Sequence, residues 1–324
     1  MRIELPFFEA IEISTASEFL SILRPTHPNW FPVDSDSSPW IFRGQSSDLW
    51  ELVPSSWRKE VLQSDVYKSF LDKVTENEVR YVARVNSQFL VGHDLGPAIF
   101  EPRLKAFIAQ SRYELFQIRS FTRLANKLGL LIPGGIVPNA ISSTLNRNPN
   151  YFPHQSIALA QHHGMRTRLI DWTDHPLIAA FFAIENLEID GQKNVAVWAL
   201  DTRALNASHL LEYRVPRSQI EFLHAQSGLF TFHNLSDQHL ISTGTWPSLE
   251  QAFDSETLKK ITLPVTEAAK LRRLLYVERV SRAHLMPTLD SVKNTLNSQL
   301  EDYSSSSIRP EEISATIVRF ENAP

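Results

Sequence analysis

From Gln161 to Thr173 the chain holds two imidazoles, two guanidiniums, a carboxylate and an indole within 13 residues. The groups come from His162, His163, Arg166, Arg168, Asp171 and Trp172, with Thr167 and Thr173 adding hydroxyls. Histidine is the natural acid or base near neutral pH. A strand over 167–171 turns Thr167 and Asp171 to one side and Arg168 to the other, so the hydroxyl and the carboxylate can share a cleft. Trp172 can wall that cleft as a stacking surface, or it can be a core residue. The adjacent histidines do not read as a metal pair, because neighbours on a helix point about 100° apart and no carboxylate follows at ligand spacing.

A second segment runs from Ile41 through Phe42, Arg43, Gly44 and Gln45 to Ser46. An arginine among buried-type neighbours at a strand end is costly unless it is paired. Its fork suits a phosphate or a carboxylate. The ligand reading and a structural ion pair with Asp171 both remain open. A third segment places Gln226 before Gly228 and an apolar strand, where its amide can orient a ligand amide or a water.

These groups need a scaffold, and the sequence outlines one. Thr15 and Glu18 have capping-box spacing ahead of an apolar helix that stops before Pro25. Trp40 to Arg43 reads as a strand ended by Gly44. Residues 59–90 read as helical. A long helix over 103–128 starts at Pro102 and turns Leu104, Ile108, Leu115, Ile118, Phe121 and Ala125 to one face. Lys105, Arg112, Arg119 and Arg123 lie opposite, as a solvated stripe or an anion track. Residues 133–153 form a Gly-, Pro- and Asn-containing loop, and a short helix follows until Gly164. Pro176 opens another helix. Strands are expected over 194–200 and 228–232, helices over 266–300, and a late edge strand over 313–320 after a serine-rich break. The pattern is α+β, with helices inserted between separated strands.

Composition narrows the chemistry. The 324 residues carry a net charge of −4, so no global basic field attracts nucleic acid or an acidic membrane. With 0 cysteines, disulfides, thiolate metal sites and a cysteine nucleophile are excluded. The 10 glycines form neither a dinucleotide fingerprint nor a P-loop, and hydrolase-elbow and zincin motifs are also absent. No apolar run approaches the roughly 20 residues of a membrane helix, and a cytoplasmic protein without membrane partners is expected.

Phe42, Arg43, Gly44 and Gln45, followed by Leu52 to Ser55 and Arg58, resemble the motif that names the FRG domain family. Gln161 to Gly164 and Thr167 to Thr173, continuing to Ala179, Phe182 and Ala183, resemble its central signature. Gln226 to Phe230 and Leu285 to Asp290 resemble later blocks. Arg166 departs from the usual proline of the signature. The resemblance spans residues 38–292, leaving 1–37 as an N-terminal helix and loop and 293–324 as a C-terminal extension.

The family is placed by remote similarity near the ADP-ribosyltransferase fold, with small split β-sheets around an NAD cleft. The resemblance therefore implies a bacterial, NAD-consuming enzyme that transfers ADP-ribose or hydrolyses NAD. Such a protein can be a toxin or phage-defence effector, with a protein or nucleic-acid acceptor and an antitoxin or defence-system partner. Arg43 would hold the NAD phosphates, and Gln45, Thr167, Arg168 and Trp172 would line the cofactor site. His163, Asp171 and Gln226 would act at the ribose. Gln226 stands where that fold commonly has a glutamate, so Asp171 is the alternative carboxylate. A non-catalytic nucleotide-, nucleic-acid- or protein-binding module is the second reading. A hydrolase or nuclease using His162, His163 and Asp171 is the third.

Overall fold

A computed structural model of the chain describes residues 10–32, 36–85, 97–135, 155–185, 187, 193–216, 220 and 223–305. The expected edge strand over 313–320 and all but residues 133–135 of the expected loop over 133–153 lie outside these residues, and the Ser-rich break is described only to residue 305.

Seven strands form one sheet. They are β1 (Ala10–Glu12), β2 (Trp40–Gln45), β3 (Ile170–Thr173), β4 (Asn194–Asp201), β5 (Leu210–Tyr213), β6 (Gly228–His233) and β7 (Leu258–Pro264). The spatial order is β1-β7-β4-β2-β3-β6-β5. Every neighbouring pair is antiparallel except β1 with β7. One sheet replaces the expected small split sheets. A seam survives, because β2 and β3 share only the residue pair Phe42 and Thr173, whereas β2 and β4 are in register from Trp40 to Gln45.

Helices α1 (Ala16–Ile22), α7 (Pro176–Glu185) and α9 (Ala268–Val277) cover one face of the sheet. Phe42, Val195, Val197, Ala199, Ile261 and Leu263 point into that core. Ile41, Ile170, Trp172, Trp198, Leu200 and Leu258 point to the other face, into a second core. Burial on both faces explains why β4 reads as a continuous apolar run. Thr15 caps α1 by accepting the Glu18 N–H at 3.3 Å, as its spacing predicts.

A helical layer stands beside the sheet. It comprises α2 (Lys59–Leu62), α3 (Asp65–Asp72), α4 (Glu76–Val85), the 31-residue α5 (Pro97–Lys127), α6 (Ser156–His162) and α8 (Ser236–Thr243). The region expected to be helical over 59–90 is thus three helices as far as it is described. Helix α5 begins at Pro97 rather than Pro102, which lies inside it. Its apolar face is as expected: Leu104, Ile108, Ile118 and Ala125 are buried. Within the opposite stripe, Arg112 is paired with Glu78, and Lys105 and Arg119 are partly buried. Two C-terminal helices follow, α10 (Arg282–Leu285) and α11 (Leu289–Ser305).

Gly164 ends α6 with φ of 83°. A Cβ there would meet nothing within 4 Å, so the cost of a side chain is conformational alone. Gly164→Ala is expected to lower unfolding stability by about 1 kcal/mol, as read by urea denaturation.

Candidate functional site

The site lies at the seam between β2 and β3. Where the two strands diverge, Arg43 reaches across and its Nη1 donates to the Asp171 carbonyl at 2.8 Å. The same nitrogen lies 3.4 Å from Asp171 Oδ2. Arg43 thus replaces backbone pairing that the divergence removes. Its side chain is 15% exposed and that of Asp171 is 55% exposed, so the carboxylate stands toward solvent while its cation is set back.

Gln161, at the last turn of α6, fixes the other carboxylate oxygen. Its Nε2 donates to Asp171 Oδ1 at 2.7 Å and to the Leu169 carbonyl at 3.3 Å. Its Oε1 accepts the Thr167 hydroxyl. Thr167 and Asp171 therefore do share a partner, although Thr167 is not in a strand. β3 starts only at Ile170 because the Thr167 hydroxyl accepts the Leu169 N–H at 3.1 Å, a local turn that competes with a ladder. The Thr167 backbone is also engaged: its N–H donates to Ser55 Oγ at 3.1 Å and its carbonyl accepts the Ser56 N–H at 3.1 Å.

That clamp brings the 55–60 segment against the signature. Arg166 Nη1 lies 3.3 Å from Glu60 Oε1. Arg58 sits between these tethers and is partly buried. Burial is the largest influence on it and lowers its pKa; Arg43 and Arg166 push the same way, opposed by Glu60 and Asp171. Arginine stays charged in proteins, so burial makes this cation unfavourable where it stands.

Other candidates have interior partners. Gln45 is buried, with its Oε1 accepting the Trp198 indole N–H at 2.8 Å and its Nε2 donating to the Glu51 carbonyl. Trp172 is 3% exposed and donates its indole N–H to Thr231 Oγ1 at 2.8 Å, so it presents no open stacking face. Arg168 is buried against Glu114 at 2.6 Å and Asp237 at 3.2 Å. His163 is exposed and stacks on Phe121, and no hydrogen bond or ion pair joins it to Asp171. Gln226 is partly buried, and its carbonyl accepts the Thr173 hydroxyl at 2.8 Å at the end of β3. Among the described residues, no group of three or more His, Asp or Glu side chains is arranged to hold a metal ion. Likewise, no described helix is long and apolar enough to cross a membrane.

Residues 137–192 match the family model of the FRG domain. This segment is similar to the FRG domain. The match covers α6, β3 and α7, hence Gln161, Thr167, Arg168, Asp171 and Trp172. Arg43, Arg58 and Gln226 lie outside it and join the FRG segment through the sheet and the Ser55–Thr167 clamp. Comparison with curated proteins and with solved structures gives no match.

Residue type and spacing single out neither Gln161 nor Arg58 as a site residue. Gln161 carries a usable signal, since a glutamine one turn before two hydroxyl- and acid-bearing positions can reach back to both. Arg58 has none beyond its place in the motif, because its neighbours come from three separate segments.

Proposed function

We propose that this chain binds NAD and breaks its nicotinamide–ribose bond, passing ADP-ribose to water or to a protein or nucleic-acid acceptor. The observation that carries the reading is the Asp171 carboxylate, exposed yet held by Gln161 on one oxygen and Arg43 on the other. Cleavage of the N-glycosidic bond sends its electron pair to the nicotinamide ring nitrogen and leaves positive charge on the ribose C1′ and ring oxygen. A fixed carboxylate stabilises that charge without reorganising at the moment of reaction. The attacking hydroxyl loses its proton to Asp171 or to solvent. Arg43 uses Nη1 on Asp171 and has Nε and Nη2 left for a phosphate oxygen. Gln226 brings no charge, so its part is to hydrogen-bond a ribose hydroxyl.

An ADP-ribosyltransferase-like role accounts for these assignments together. A toxin or phage-defence effector would use the same chemistry to deplete NAD or to modify a partner macromolecule. The interior positions of Gln45, Trp172 and Arg168 make them supports of the site on this reading, not contacts of the cofactor.

The test is nicotinamide release from NAD by the full chain and by Asp171→Asn. Asparagine keeps the shape and removes the charge, and release is expected to fall about 100-fold with little change in melting temperature. Release at the wild-type rate in Asp171→Asn sinks the proposal. NAD binding without release by the wild type would instead identify a nucleotide-binding module.

A further inference from the structure

Each arginine beside Arg58 has an acidic partner. Arg43 is against Asp171 and Arg166 against Glu60. Arg58 makes no hydrogen bond or ion pair from its guanidinium among the described residues, although it is partly buried. The 55–60 segment that carries Arg58 is clamped to Arg166 and Thr167, and Gln161 ties Thr167 to the Asp171 that Arg43 holds, so three guanidiniums share this corner with two carboxylates that are already engaged. A half-buried cation flanked by like charges is unfavourable by itself. Its position is nevertheless fixed on both sides. Ser56 is tied to the Thr167 carbonyl, Ser55 to the Thr167 N–H, and Glu60 to Arg166. The site therefore holds in place a guanidinium that has no ion pair of its own, near two carboxylates that other arginines already engage.

A phosphate group meets these conditions. Its oxygens accept from the planar fork of one guanidinium while presenting further oxygens to the next, and its charge offsets the mutual repulsion of the arginines. A neutral sugar or base does neither.

We infer that Arg58, flanked by Arg43 and Arg166, is a binding subsite for the phosphate or pyrophosphate group of a nucleotide. The ligand of the seam is then a nucleoside phosphate, not a nucleoside or a free base. The inference rests on the nucleotide reading above and extends it to two residues, Arg58 and Arg166.

Calorimetric titration of the full chain with inorganic pyrophosphate, ADP and adenosine tests it. Pyrophosphate and ADP are expected to bind, more weakly as salt is raised, and adenosine is not. Arg58→Gln is expected to weaken pyrophosphate and ADP about tenfold or more. It should melt no lower than the wild type, because it removes a charge that has no partner. Arg166→Gln gives a second reading of the same subsite, with a smaller loss because Glu60 already engages that arginine. Pyrophosphate binding that Arg58→Gln abolishes, in a protein that releases no nicotinamide, would keep the subsite and remove NAD cleavage. Equal affinity in wild type and Arg58→Gln overturns the subsite whether or not NAD is consumed. So does the absence of pyrophosphate binding. An Arg58→Gln variant that fails to fold, with Arg166→Gln binding like the wild type, overturns it as well.

Discussion

Alanine at position 44 is expected to cost about 3 kcal/mol or more of folding stability, despite adding a single methyl group. A Cβ at Gly44 would lie 2.0 Å from the Ala179 carbonyl oxygen and 2.5 Å from the Ala183 backbone nitrogen. Both are main-chain atoms of α7, so no side-chain rotation relieves the overlap. The helix would have to lift from the sheet. Ala179, Ala180 and Ala183 pack there with Phe42 in the main core, and lifting α7 would open that contact. The damage would reach the seam, since Phe42 is the one residue of β2 in register with β3 and Arg43 is its neighbour. Urea unfolding of Gly44→Ala would measure the loss. A variant within about 1 kcal/mol of wild type would show that α7 approaches β2 less closely than these distances indicate. Gly164→Ala is the internal comparison, because its cost is a backbone conformation with no clash.

The same glycine shows where sequence reasoning stops. A glycine after a short apolar run reads as a strand end, yet β2 continues through Gly44 to Gln45. What decides is the approach of a helix far later in the chain, and local pattern carries no trace of it. Elements governed by local chemistry are legible. The Thr15 cap, the apolar face of α5 and the Gly164 stop all follow from neighbours within a few residues. β7 is not legible, because Lys259 and Lys260 interrupt its apolar pattern. Their ammonium groups lie 5.6 Å from the Trp40 ring and 5.0 Å from the Trp198 ring, so the long stems cover aromatic surface. β1 spans only 3 residues and owes its form to pairing with β7.

The candidate site divides in the same way. The residue types at Arg43 and Asp171 suffice to suggest that they meet, since a strand-end arginine needs a partner and an acid stands in the other polar segment. The choice between ligand contact and core contact does not follow from type. Trp172 turns inward because β3 is flanked by β2 and β6, and its indole finds Thr231 on β6. Arg168 turns inward because two acids from distant helices meet it. Arg58 gains its character from the opposite circumstance, that the acids near it, Glu60 and Asp171, are paired with other arginines.

Arg168→Ala is expected to cost about 3–5 kcal/mol, the range for stranding the partners of a buried ion pair. Arg168 and Glu114 have side chains only 8% and 11% exposed, and that of Asp237 is 4% exposed. Removing the guanidinium leaves two carboxylates facing a space from which water is largely excluded. Glu114 also accepts from Ser56 Oγ at 2.9 Å, the Trp57 indole at 3.2 Å and Gln110 Nε2 at 2.7 Å. Glu114→Gln should therefore be damaging too, and the double variant should lose clearly less than the sum of the singles. Additive losses would show that the two side chains do not act as a unit. This network lies directly beneath the site, since Arg168 adjoins Thr167 and both Ser56 and Trp57 lie within two residues of Arg58. Glu114 accepts the Ser56 hydroxyl while the Thr167 carbonyl accepts the Ser56 N–H, so Ser56 is held at both side chain and main chain. The buried triad thus sets the position of the one site arginine that has no acid of its own. A site built to keep a cation unpaired needs such a support, because that cation's own interactions do nothing to hold it there.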